Sequence, residues 1–88
     1  MAETEPGGAV SPLKAVIEVV VRALVDHPGA VTVTETERRG MTVLELKTAP
    51  GDMGKIIGRQ GRTAAALRTL LAVTAEKHGR RAQLDIRD

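Results

Sequence analysis

Between Lys55 and Arg62 the chain reads Lys-Ile-Ile-Gly-Arg-Gln-Gly-Arg. Three cations and one amide surround two glycines, and no carboxylate interrupts them. Such a set donates hydrogen bonds to an anion; it holds no nucleophile and no acid-base pair. Gly58 and Gly61 lack a Cβ, so another backbone can come close at both. A helix resuming at Arg62 points its free N–H groups and the positive end of its dipole at the same spot. Arg59 and Gln60 then project as donors to phosphate oxygens, and Lys55 and Arg62 add field. The plainer alternative is a tight helix-loop-helix corner. That accounts for one glycine easily and two less easily, and it leaves the cations unexplained.

Elsewhere the chain is poor in reactive groupings. The glycine spacing fits neither GxxxxGK[ST] nor GxGxxG. There is no cysteine, and the two histidines, His27 and His78, fall on separate helices. No Ser/His/Asp set or carboxylate pair stands out, and Asp52 reads as a helix N-cap. Neither a catalytic site nor a metal or cofactor site is expected.

Eighty-eight residues allow one domain with a modest core. With no Phe, Tyr or Trp, aliphatic residues and alanine must build it. The absence of cysteine excludes a disulfide scaffold and fits a reducing compartment. The N-terminus lacks the basic and apolar regions of a signal peptide, and no apolar run approaches a membrane span, so a cytoplasmic location is expected. The net charge of +2 hides a polarity. Residues 1–53 carry five Lys/Arg against eight Asp/Glu, and residues 54–88 carry eight against three. The basic half begins at the glycine stretch, an electrostatic footprint suited to a polyanion.

The elements that must hold this stretch are legible from local signals. Residues 1–10 offer little to bury and read as a disordered tail. Ser11-Pro12 starts a helix, with Ser as N-cap and Pro at the first helical position. Leu13, Val16, Ile17, Val20, Leu24 and Val25 form its apolar stripe, and His27-Pro28-Gly29 ends it. His27 reads as a cation-compatible residue at the helix C-terminus. Val19, Val21 and Val73 lie off the stripes and read as surface hydrophobics, or as an interface. Val31 to Glu35 alternates as a strand, Arg38-Arg39-Gly40 turns, and Met41 to Thr48 forms a second strand with Leu44 and Leu46 on one face. Arg38 and Arg39 read as solvated turn residues. A short helix, Met53 to Ile57, precedes the loop, and a second runs from Arg62 to about His78, with Leu67, Leu70, Leu71 and Thr74 on one face. Ala82, Leu84 and Ile86 mark a last strand. The order is α-β-β-α-α-β.

Ile56-Ile57-Gly58-Arg59-Gln60-Gly61-Arg62 in this order of elements resembles the signature of KH domains. Their GXXG loop grips about four nucleotides of single-stranded RNA. The resemblance covers residues 11–88 and extends, through Ala49-Pro50-Gly51-Asp52-Met53-Gly54-Lys55, to the small bacterial single-KH proteins of the KhpA family. It implies an α+β fold of the type II (prokaryotic) kind, with a three-stranded mixed sheet packed against helices. It also implies RNA-binding residues at Lys55, Ile56, Ile57, Gly58, Arg59, Gln60, Gly61 and Arg62, with Ile56, Ile57 and the 42–48 strand lining a groove for bases. RNA chaperone-like activity follows from the resemblance, as do a homodimer or a heterodimer with a second KH protein of the KhpB (Jag) type, and links to cell shape and peptidoglycan homeostasis. The sequence departs from the common KH pattern at Thr63-Ala64-Ala65-Ala66, where a large aliphatic is usual; here the first is Leu67.

Three rivals can be weighed. A DNA-reading helix-turn-helix needs a longer first helix and polar residues along the second, where Thr63 to Ala66 are small. A pure protein-interaction module has no reason to keep Arg59 and its basic flank, although a KH fold that binds RNA only within a complex remains an alternative, as does a single-stranded DNA binder. Base-stacking RNA binders of the RRM or OB type require aromatic residues, and this chain has none. A single such clamp, neutralising about three phosphates, gives a log-log salt slope near −2. A weak single site is best served by avidity through a second module.

Overall fold

The structure is a computed structural model that describes residues 11–87; the expected tail at residues 1–10 lies outside the described residues. The elements follow in the order α1 (Pro12–Leu24), β1 (Thr32–Arg38), β2 (Met41–Lys47), α2 (Met53–Ile57), α3 (Arg62–Lys77) and β3 (Arg81–Arg87). Short 3-10 turns occupy Pro28–Ala30, Pro50–Asp52 and Arg59–Gly61. This is the expected α+β order.

Local chemistry explains most of the boundaries. The Ser11 hydroxyl accepts from the Lys14 N–H at 3.2 Å, and Pro12 opens α1. The β1–β2 hairpin turns on Arg39 and Gly40 alone, because Arg38 pairs with Met41. Both turn residues have positive φ, 51° and 79°, as a two-residue type I′ turn requires. The sheet runs β1-β2-β3, antiparallel between β1 and β2 and parallel between β2 and β3. The parallel pair needs a crossover, and α2, the glycine loop and α3 supply it.

One face of the sheet carries the core. Val33, Leu44, Leu46 and Leu84 are buried there, under Leu13, Ile17 and Val21 of α1 and Leu67, Leu71 and Ala75 of α3. The seam of α1 therefore differs from the expected stripe. Val21, read as a surface or interface residue, is fully buried, whereas Leu24 is 40% exposed and Val20 half-buried. The physical reason is a spacing of four along the helix, Leu13-Ile17-Val21, which brings α1 against β1 and α3 at once. Val19 and Val73 are exposed, as expected.

At the hairpin end of this face, Arg80 binds Glu37 at 2.7 Å, Thr42 Oγ1 at 2.6 Å and Glu35 at 3.5 Å. The Thr42 hydroxyl donates to Glu37, and this bond, together with the Arg80 guanidinium, holds the Glu37 carboxyl below its ordinary pKa.

Candidate functional site

The loop after α2 is built on unusual backbone. Gly58 ends α2 at φ 75°, ψ 173°, and its N–H bonds Gly54 C=O at 2.8 Å. The Gly61 N–H closes the turn onto Gly58 C=O at 3.2 Å. Gln60 (φ 56°) and Gly61 (φ 73°) are both left-handed. α3 begins immediately, with Gly61 in the N-cap position and no side chain capping the first amides. The Arg62 N–H itself turns back onto Arg59 C=O, so it is the amides after it in the first turn that no side chain caps.

The two glycines have different reasons to be there. A Cβ on Gly58 would strike Thr63, meeting its Oγ1, its Cβ at 2.6 Å and its backbone N at 2.9 Å. Gly58 is thus needed by the protein's own packing. A Cβ on Gly61 would meet nothing within 4 Å. The open side of the loop is at Gly61. The sequence marks Thr63 as a departure from the KH pattern, but its packing against Gly58 across the loop shows only in the structure.

The flanking residues divide. Arg59, Gln60 and Arg62 are exposed around the loop. Lys55 is also at the surface, but its ammonium pairs with Asp26 at 3.1 Å. Ile56 is fully buried in the core cluster, while its neighbour Ile57 is 38% exposed. The two do not share a groove wall: consecutive residues of a helix point about 100° apart. The 42–48 strand reaches a surface concavity at its end, through Lys47. β2 is the central strand, and Thr42, Val43, Leu44, Leu46 and Thr48 are buried. Surface concavities flank α3. One, against β3, is lined by Lys47, Arg68, Asp85, Ile86 and Arg87. Another, of about 340 Å³, lies between α1 and α3 and includes Val20, Leu24, Leu67 and Leu70 with Arg62 and Thr63 at the loop end.

Asp52 does not cap α2 through its side chain, contrary to the sequence reading. Its carboxylate, 1% exposed, accepts from Asp26 N–H at 3.2 Å and His27 N–H at 2.9 Å, and lies 3.1 Å from His27 Nδ1. Burial raises its pKa, but the two backbone donors and the His27 ring outweigh it and leave the carboxyl below its ordinary value. Asp52 thereby clasps the chain that leaves α1, and His27 is its partner, with no part in ending the helix by charge. With Lys55–Asp26 alongside, two contacts fasten the start of the loop-bearing helix to the 26–27 turn. Among the described residues no group of three or more His, Cys, Asp or Glu could hold a metal ion, and no helix is long and apolar enough to cross a membrane.

A crossover of two helices joined by Gly58-Arg59-Gln60-Gly61, with an added helix and strand in front, is a KH domain of the type II arrangement. Comparison with known proteins narrows the class. The family described as "KhpA/KhpB, KH domain" matches residues 14–86. "RNA-binding protein KhpA" of Halalkalibacterium halodurans is 47% identical over 86% of this chain and all of that protein. Its counterpart in Treponema pallidum is 49% identical over 82% of this chain and 90% of its own length, and that of Leifsonia xyli is 49% identical over 78% and 88%. A solved structure of Aquifex aeolicus Era superposes with a TM-score of 0.56 at 19% identity; it covers 98% of this chain, which spans only 35% of that one, and supports the fold alone. This chain belongs to the KhpA/KhpB KH-domain family, which is not a family of enzymes.

Proposed function

We propose that the protein binds single-stranded RNA, taking the sugar-phosphate backbone at the Gly58–Gly61 loop. The observation that carries this reading is the open side of Gly61 beside the first turn of α3, which no side chain caps, with Arg59, Gln60 and Arg62 exposed around it. A helix N-terminus that no side chain caps suits a phosphate oxygen. Arg59 and Arg62 supply charge and directed N–H donors, and Gln60 an amide. Lys55 joins when a phosphate displaces Asp26 from it. Gly58 and Ile56 act from beneath, holding the loop's shape, and Ile57 is the apolar residue at the surface. The relatives' name, "RNA-binding protein KhpA", supports RNA as the ligand.

The domain works in the cytoplasm, in this reading, as an RNA chaperone or post-transcriptional regulator. A second KH module, either another copy or a KhpB-type protein, supplies the avidity that one clamp lacks. The family's pairing of KhpA with KhpB supports such a partner. The apolar concavity between α1 and α3 and the exposed Val19, Leu24 and Val73 favour a protein-contacting surface on the helical side.

The test is fluorescence anisotropy of a labelled single-stranded RNA pool with the native protein and with Arg59→Asp/Gln60→Asp, both shown to be folded by circular dichroism. Native binding is expected, with the loop contributing about −2 to the log-log salt slope, and the variant should bind far more weakly and lose that contribution. Binding unchanged in the variant would place RNA elsewhere on the protein. No native binding at low salt would leave the interaction module as the better reading.

A further inference from the structure

The glycine loop has a conformational twin at the other end of the molecule. Among the described residues, two that are not glycine have positive φ: Gln60 and Arg39. Each follows an arginine, Arg59 or Arg38, and each precedes a glycine that is also left-handed, Gly61 or Gly40. The hairpin turn Arg38-Arg39-Gly40 thus repeats the sequence Arg-X-Gly and the left-handed X-Gly backbone of Arg59-Gln60-Gly61. A type I′ turn accepts Asn, Asp or Gly at Arg39's position more readily than a long side chain. The outlier points to a use for the arginine.

The sheet adds a third cation. Arg38 pairs directly with Met41, and Met41 with Arg81, so one row across the sheet reads Arg-Met-Arg. This row has the opposite parity to Val33, Leu44 and Leu84, and so lies on the face away from the core. Arg38, Arg39 and Arg81 are exposed, and among the described residues none forms an ion pair. The nearby carboxylates of Glu35 and Glu37 are engaged by Arg80. The patch lies at the far end of the domain from the glycine loop, since α3 runs about 24 Å from one to the other.

We propose that Arg38, Arg39 and Arg81 form a second phosphate-contacting site for single-stranded RNA, independent of the Gly58–Gly61 loop. The proposal rests on the RNA-binding reading above. A strand held at one end of the domain reaches the other only if it is long enough, so the domain grips a long single strand at two points.

Arg39→Asn is the fold-safe probe, because it places an Asn-Gly pair in the type I′ turn; Arg38→Thr keeps a strand-forming residue. The experiment compares four proteins: native, Arg38→Thr/Arg39→Asn, Arg59→Asp/Gln60→Asp, and all four substitutions together. Each is titrated with fluorescein-labelled 20-nucleotide oligouridine across a salt series, with circular dichroism as the fold control. The hairpin variant should bind several-fold more weakly, with a salt slope shallower by about 0.7 for each arginine that meets a phosphate. Its effect should persist in the loop-variant background, roughly additively. Native affinity and slope in the hairpin variant would overturn the second site while leaving the loop reading intact, and would hand the arginines to an acidic protein partner or to solvent. An unchanged loop variant would instead refute the loop reading alone. No binding by the native protein would overturn both.

Discussion

Gly58→Ala and Gly61→Ala look equivalent in the sequence and should behave very differently. At Gly58 two costs combine. A φ of 75° with ψ of 173° is essentially a glycine-only conformation, worth about 1–3 kcal/mol to an L-residue. The new methyl also meets Thr63, and the backbone N at 2.9 Å cannot rotate away as a side chain can. Overpacking of that kind adds about 1–3 kcal/mol, for a total near 4 kcal/mol. Gly61 sits in the ordinary left-handed region with open space beyond, so only about 1–2 kcal/mol is lost. For a domain of this size each kcal/mol moves Tm by about 4–8 °C. Thermal melts followed by circular dichroism should therefore show a fall of about 20 °C for Gly58→Ala and less than half that for Gly61→Ala. RNA affinity, measured where both are folded, should invert the order in proportion to stability. Gly61→Ala places a methyl on the open side of the loop, where the proposed ligand approaches, so it should lose more binding per degree of Tm than Gly58→Ala. Equal Tm losses, or the larger loss at Gly61, would refute the assignment of Gly58 to internal packing and Gly61 to ligand approach.

Two other outcomes follow from the clasp beneath the loop. Asp26→Asn removes the partner of Lys55 and one negative charge near the loop, so RNA affinity should rise about two- to threefold at low salt and the gain should fade as salt is added; titration at two ionic strengths checks this. Asp52→Asn keeps the shape but weakens acceptance of three donors, and should lower Tm and loosen the loop's amide protection in hydrogen exchange. The folded Asp52 pKa lies below its unfolded value, so the native protein gains stability from this group above the ordinary carboxylate pKa and loses it as pH falls through the folded one. The acid limb of a Tm–pH profile should accordingly flatten in Asp52→Asn.

The parts of this fold that were legible in the sequence are those set by near neighbours. The Ser11-Pro12 cap, the turn at Arg38-Arg39-Gly40, the alternation in β2 and the element order all depend on residues a few positions apart. So does the loop itself, where glycines and cations are contiguous. What stayed hidden depends on the tertiary arrangement. Val21 looked like surplus because periodicity cannot tell which of two adjacent stripes meets both a sheet and a helix. Asp52 sits where an N-cap should, and only the approach of the 26–27 turn diverts its carboxylate. The depth of β2 is likewise tertiary: its apolar residues are buried because it is the central strand of the sheet. Lys55 adjoins the loop in the sequence, but its pairing with Asp26 joins residues far apart in sequence.

The parallel pairing of β2 with β3 has a consequence for how ligand energy is distributed. The segment that joins them contains α2, the glycine loop and α3, so the sheet gains its third strand only when that whole segment is in place. The loop is an internal span of the folding unit, with no freedom to open as a surface appendage. Energy released by a ligand at Gly61 is therefore shared with the strand that closes the sheet. Saturating RNA should protect the amides of β3 against exchange as strongly as those of the loop it touches, and raise the melting temperature of the entire domain by mass action. Such a protein reports occupancy through its own persistence: bound copies outlast free ones wherever unfolding is the route to degradation.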